Sequence, residues 1–375
     1  MIKLSVIVPI YNTPQNLLRH CLTSILENLC TMNEEVEVIL INDGSTEVYI
    51  DSLLTEVSEK DERLLYIKKS NTGLSNTRNY GIKKARGEYI TFVDPDDYLE
   101  SNSLKYMLDV AQSRSEDVVM FGFCRDNNTS NIIHLRKHYD VDEEIIRSLV
   151  SNDMKQWNDC GTILASADIK TYRREIILQN NIWFHEEFEP NEDGFFNLCL
   201  LHRIKEFYVD NRLLYHYVTN SFSATHRFSE RYIIMAENLL PELEKMVDTF
   251  YPNSTIIHKA IVLRAFKMVR DVKEFYFTHP QNQKAFKQLK TELNDFLSKP
   301  IIKNCIKKLQ FTDASNVVDF KNILLLKMHC YWIFLITERR KRKKLSNSIF
   351  DCLPESLYLC AARHKDINFQ ANNQK

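Results

Sequence analysis

The sequence predicts an α/β fold with a mostly parallel sheet, followed by a mainly helical C-terminal region. Three observations carry that expectation. Strand-like and helix-like segments alternate through the first 125 residues. All seven glycines lie within the first 194 of 375 residues, so backbone that must turn sharply or approach a ligand belongs to the first half. Helical periodicity dominates from about residue 229 onward.

The elements follow in order. A β-branched run at 4–9 closes on proline, and Leu17, Leu18, Cys21, Leu22, Ile25, Leu26 and Leu29 then recur at helical spacing. A second strand at 36–41 ends in the turn cluster 42–45. A helix over 47–59 and a strand over 64–68 come next. Residues 74–86 predict a helix stopped by Gly87, and 88–93 a strand that runs into the acidic turn 94–97. A helix over 102–113 and a strand over 117–123 complete the run. Strands at 132–135, 206–209 and 213–218 and a helix near 168–180 are expected in the next hundred residues. The later helices are expected to break at Pro241, Pro252, Pro280 and Pro300.

Alternation of this kind implies right-handed crossovers, with a ligand crevice at the carboxyl ends of the strands. Three polar clusters fall there: Tyr11-Asn12, Asn42 to Ser45, and Asp94 to Asp97. Three carboxylates within four residues repel one another unless a cation intervenes, and a hard cation such as Mg²⁺ or Mn²⁺ takes oxygen ligands. The other reading of Asp96 and Asp97 is helix capping ahead of 102–113.

The formal net charge of −1 hides an asymmetry. The last 75 residues carry 14 Lys and Arg against six Asp and Glu, whereas residues 1–300 carry 35 against 44. Nine scattered cysteines without a CxxC pair argue against a zinc site or a disulfide framework and for free thiols in a reducing cytoplasm. The N-terminus enters an apolar strand at once, and no signal peptide is expected.

Four ordered segments resemble the family 2 glycosyltransferases: SVIVPIYN at 5–12, INDGST at 41–46, NTGLSNTRNYG at 71–81 and GEYITFVDPDD at 87–97. A fifth, NEDGFF at 191–196, resembles the acidic catalytic motif of that family. The resemblance implies the nucleotide-sugar-binding fold called GT-A over residues 1–228, with a nucleotide-sugar half (1–125) and an acceptor half (126–228). Residues 229–375 would then be a helical region with a basic tail.

The resemblance also implies roles. Pro9, Tyr11, Asn12, Asp43, Gly73, Arg78, Asp94 and Pro95 are assigned to the nucleotide sugar, with Tyr11 packing on the base and Asp43 accepting from the uracil N–H. Asn42 stands where many members have a second Asp. Asp94 and Asp96 resemble the DxD pair, Asp96 coordinating Mn²⁺ or Mg²⁺ between the phosphates, while Asp97 is assigned to capping. Asp193, beside Glu192, is the expected base, raised toward working pH by burial near Phe195 and Phe196; the pair also suits capping of a helix over 195–203. Val218 stands where many relatives have Arg in a closing loop, with Arg227 or His226 as substitutes.

The implied activity is inverting transfer from a UDP-sugar to a glycan or lipid-linked acceptor in surface-glycan synthesis. A non-catalytic glycan-binding partner of another transferase is the alternative, and the three carboxylates Asp94, Asp96 and Asp193 favour the enzyme. Residues 323–337 are apolar but too short to span a bilayer, which takes about 20 residues. Six consecutive cations follow at 339–344. Core packing, a homodimer contact through the C-terminal helices, and peripheral contact of 323–344 with the inner membrane face are the readings of this segment. Nucleic acid is not expected, because no aromatic-interleaved basic surface accompanies the run.

Overall fold

The computed structural model describes residues 1–125, 137–152, 164–219 and 228–336. The strand expected at 132–135, His226, Arg227 and the cations at 339–344 lie outside the described residues.

Strands β1 (Leu4–Ile10), β2 (Val36–Asp43), β3 (Leu64–Lys69) and β4 (Tyr89–Phe92) pair in the parallel order β3-β2-β1-β4. Every residue of β1 and β2 is buried, as expected of parallel strands covered by helices on both faces. The helices are α1 (Gln15–Leu29), α2 (Val48–Ser58) and α3 (Leu74–Lys84). Helix α1 buries Leu18, Cys21, Leu22, Ile25 and Leu29, the face its spacing marks out.

Helix α3 can approach β1 and β2 closely because Gly81 has no side chain. A Cβ there would stand 2.4 Å from Ile7 Cγ2 and 3.2 Å from Ile41 Cδ1. Gly81→Ala is therefore expected to cost about 1–3 kcal/mol by overpacking. Thermal melting checks this, and an unchanged midpoint would refute the tight approach.

Beyond β4 the sheet becomes mixed. After β5 (Tyr98–Leu99), α4 (Ser103–Gln112), β6 (Val118–Arg125), β7 (Lys137–Asp140) and α5 (Glu143–Ser151) come β8 (Lys170–Arg173) and α6 (Arg174–Gln179). Helix α7 (Glu192–Leu201) and β9 (Glu206–Tyr217) follow. The order continues β4-β8-β6-β9-β5; β8 is antiparallel to both neighbours, β6 and β9 are parallel, and β7 pairs with β9.

Several expectations are corrected. Residues 170–173 form a strand, where a helix from about 168 was expected, because Ile169 at φ +65° turns the chain into the sheet. Helix α3 ends at Lys84 with Ala85 already extended, so Gly87 does not terminate it. Gly87 lies against Ser5 instead, where a Cβ would come within 2.6 Å of the backbone nitrogen. Pro241 sits inside the continuous helix α8 (Arg231–Phe250). The two strands expected over 206–218 are one, β9.

Two compact units emerge, and the first continues past residue 228. It comprises Met1–Tyr276 and Lys299–Leu309, and includes α8, α9 (Thr255–Val272) and a later helix, Pro300–Lys308. The second comprises Phe277–Ser298 and, as described, 310–336. It holds the helices Phe286–Ser298 and Val317–Lys327, and Ile323, Leu326, Tyr331 and Leu335 are buried. Among the described residues no helix is long and apolar enough to cross a membrane.

Candidate active site

The carboxyl ends of β1, β2 and β4 lie side by side, and three groups of expected site residues stand there. The first ties two loops together. Asn12, at φ +47°, accepts from the Thr46 N–H at 2.8 Å through its side-chain oxygen, and its own N–H donates to Ser45 Oγ at 3.1 Å. Pro9 is buried within β1, while the Tyr11 ring beside it is 51% exposed. Asn42 is buried; its carbonyl accepts from the Ser45 N–H and its amide donates to Asp51.

The second group surrounds Asp43. Its carboxylate is buried at the end of β2 and accepts from the backbone N–H groups of Thr72 and Gly73 at 2.9 and 3.0 Å. The Lys69 ammonium caps the same carboxylate and donates to Thr72 Oγ1. Gly73, at φ +87°, opens α3, a backbone conformation that suits glycine.

The third group is centred on Arg78. This guanidinium is 1% exposed. Its Nη1 donates to Asp193 Oδ1 at 2.5 Å and lies 3.5 Å from Glu192 Oε1, while Nη2 donates to Asp94 Oδ1 at 2.9 Å. Phe92 and Phe184 pack against it. One side chain from α3 thus reaches a partner 115 positions along the chain and ties it to the acidic turn. Burial opposes the charge on Arg78, but Asp193, Asp94, Asp168 and Glu192 outweigh it and hold its pKa well above the ordinary value.

Glu192 and Asp193 lie in the first turn of α7 rather than ahead of it, with Asn191 preceding them. Both carboxyl pKa values are raised, by burial foremost, while Arg78 opposes the rise. Asp193 Oδ2 also accepts from the Ala167 N–H at 3.1 Å.

Asp94, Asp96 and Asp97 can bring one oxygen each within 4.8 Å of one another. Asp97 caps no helix. Its oxygens accept from the Tyr215 hydroxyl and the Val218 N–H, both at 2.8 Å, while Tyr215 Oη accepts from the Asp94 N–H at 3.1 Å. The acidic turn is thereby tied to the end of β9, and Asn102 rather than either carboxylate precedes α4. Burial first, then Asp94 and Asp96, push Asp97 up to about 8. An all-oxygen, charge-strained cluster with Asp97 already committed to protein donors fits a hard divalent cation held through Asp94 and Asp96.

Raised carboxyl pKa values make a stability statement. Between the ordinary value of 3.8 and about 8 the folded chain keeps a proton on Asp97 that the unfolded chain has released. The metal-free chain is therefore expected to gain melting temperature from pH 8 toward pH 5. The charge of Mn²⁺ held at Asp94 and Asp96 disfavours that proton on the neighbouring Asp97, so its stabilising shift should be larger near pH 8 than near pH 5. Thermal scans at both pH values check this; an equal shift would remove the cluster as the metal site.

Three buried groups escaped sequence reasoning. Asp168 is 7% exposed, its Oδ1 has no hydrogen-bond partner, and burial followed by Asp94 raises its pKa well above the ordinary range. Lys170 is fully buried and pushed down to about 7, by burial first. Tyr215 is 1% exposed at the acidic turn. The first two lie in a stretch whose pattern reads as helix, and their alternation across Ile169 becomes meaningful only once β8 is known.

Comparison with known proteins agrees with this architecture. The family description Glycosyl transferase family 2 matches residues 5–179. EpsJ of Bacillus subtilis strain 168, an uncharacterized glycosyltransferase, is 29% identical over 221 residues, which cover 59% of this chain and 62% of that protein. The poly(ribitol-phosphate) beta-glucosyltransferase of Bacillus spizizenii is 25% identical over 218 residues, 58% of this chain and 32% of that one. The chain thus spans under two thirds of the length of either relative. Among solved structures, S. aureus TarS 1–349 in complex with UDP-GlcNAc has a TM-score of 0.58 at 19% identity, over 91% of this chain and 92% of that chain. That likeness speaks to the fold. Motifs, sheet and family match agree that residues 5–179 are similar to glycosyl transferase family 2, with a GT-A fold in this N-terminal part.

Proposed function

We propose that the chain is an inverting, metal-dependent glycosyltransferase that moves a hexosyl or N-acetylhexosaminyl group from a UDP-sugar to a glycan or lipid-linked acceptor in surface-polysaccharide or glycoconjugate synthesis. The observation that carries the reading is the buried guanidinium of Arg78, which joins Asp94 of the acidic turn to Asp193 of α7. A binding module has no need of a carboxylate base coupled to a metal-type turn.

In this mechanism the Asp193 carboxylate accepts the proton of the acceptor hydroxyl as its oxygen bonds to the anomeric carbon. The bond from that carbon to the diphosphate oxygen breaks on the opposite face, and UDP leaves with the electron pair. Burial raises the proton affinity of Asp193, which suits a base working near neutrality. A divalent cation at Asp94 and Asp96 would offset the charge on the leaving diphosphate. Asp43, Gly73 and Asn12 shape the nucleotide side, where Tyr11 offers an open ring face for the base and Pro95 lies within the acidic turn. The ligand named for TarS and the substrate named for the glucosyltransferase relative support the UDP-sugar and envelope-polymer choices.

A screen for UDP release across UDP-hexoses and UDP-N-acetylhexosamines with Mn²⁺ tests the reading. Release dependent on metal and on Asp193 supports it, and no release from any donor refutes it. For the tail, four apolar residues of 323–335 are buried, which leaves the cations at 339–344 as the proposed contact with anionic lipid at the cytoplasmic membrane face. Flotation with phosphatidylglycerol vesicles should be lost on deleting 337–375; equal flotation would refute the contact.

A further inference from the structure

Asp193 is held by two donors, and only one of them, Arg78, comes from the five motif segments. Arg78 fixes Oδ1; the backbone N–H of Ala167 fixes Oδ2. Rotation of the carboxylate about its Cβ–Cγ bond would break one of these bonds. The placement of Ala167 therefore decides which lone pairs face an acceptor.

The turn carrying Ala167 is clamped from two sides. From α7, the Asn197 amide donates to Ala165 O at 3.1 Å, Ser166 O at 3.0 Å and Asp193 O at 2.9 Å, tying the turn to the helix that bears the base. From β8, the Lys170 ammonium donates to Ser166 O, and the Tyr172 hydroxyl lies 3.0 Å from both Ala167 O and Asn197 Oδ1. Lys170 and Tyr172 are both 0% exposed.

Two features of this turn carry a cost that packing alone would avoid. Ile169 is β-branched yet sits at φ +65°, a conformation such residues rarely adopt. Lys170 places an ammonium in a fully buried site that an apolar side chain of similar volume would fill at no charge penalty. Both converge on one backbone amide, and that amide points at Asp193.

We infer that residues 165–170 form a positioning element for the Asp193 carboxylate, and that Lys170 and Tyr172 are positioning residues acting through the Ala167 amide. The inference rests on Asp193 being the base. Misplacing a reacting group by about 1 Å can cost about 10²-fold in rate without weakening substrate binding. The signature is therefore a loss confined to kcat.

The experiment compares Lys170→Met and Tyr172→Phe with wild type in the full chain, using UDP release from a UDP-sugar with Mn²⁺ and water as acceptor. Each variant should lose about tenfold or more in kcat with the donor KM within about twofold. Wild-type kcat in a folded variant, or a loss that appears in donor KM, overturns the inference. Tyr172→Phe keeps the ring and decides the question if Lys170→Met does not fold. Asp193→Asn run in parallel separates the two readings. If it turns over donor at the wild-type rate, or if wild type itself releases no UDP, the base reading falls and this inference with it. If it is inactive while both other variants are unimpaired, only the role of the turn falls.

Discussion

Arg78→Met is expected to lower folding stability by about 3–5 kcal/mol near neutral pH and to abolish measurable transfer. The magnitude follows from what remains behind. Arg78 is fully buried and faces Asp94, Glu192 and Asp193, with Asp168 in its field. A methionine fills the volume and leaves the buried Glu192 and the partly buried Asp94 and Asp193 without their cation. The deficit should depend on pH with a definite sign. Without the guanidinium the carboxyl pKa values rise further, so the folded chain holds protons that the unfolded chain has released. Stability of the variant then falls as pH rises from about 5 to about 8 more steeply than in wild type. Urea unfolding at both ends of that range measures the difference, and an equal deficit at both would show that Arg78 acts by packing alone.

Asp193→Asn should retain UDP and Mn²⁺ binding while turnover falls by about 10²–10⁴-fold, the usual contribution of a positioned base. The amide offers one oxygen where the carboxylate offered two to Arg78 and Ala167, so a small stability loss of about 1 kcal/mol is expected as well. Asp96→Ala should show the opposite pattern, with metal-dependent UDP binding lost. Calorimetry for binding and UDP release for turnover separate the two variants. Wild-type turnover by Asp193→Asn would end its assignment as the base.

The parallel half of the sheet was legible because its signals are local. Continuous β-branched runs become β1 and β2, the apolar spacing of α1 becomes its buried face, and polar clusters mark the strand ends. The acidic residues of the candidate site stood out for the same reason: Asp94, Asp96 and Asp193 stand in short motifs with recognisable order, and Arg78 brings Asp94 and Asp193 together. Asp97 was misread because capping is a local explanation for a carboxylate near a helix, whereas its partners Tyr215 and Val218 lie about 120 residues away. The helix expected near 168 failed similarly, since a left-handed Ile169 and two antiparallel neighbours outweigh local propensity.

The sequence by itself determined the kind of fold, the family resemblance and the chemical types gathered at one sheet edge, because periodicity and short motifs need only near neighbours. The tertiary structure alone decided the charge network: that Arg78 is spent on Asp94 and Asp193, that Asp43 is held by the Gly73 loop and Lys69, and that Asp168 and Lys170 lie in the field of Asp193. The first compact unit likewise runs on to Tyr276, because its packing continues past residue 228, where the sequence pattern changes to helix. The physical reason is common to all of these. Burial and pairing of charge depend on which distant residues share a dry volume, and no local pattern records that.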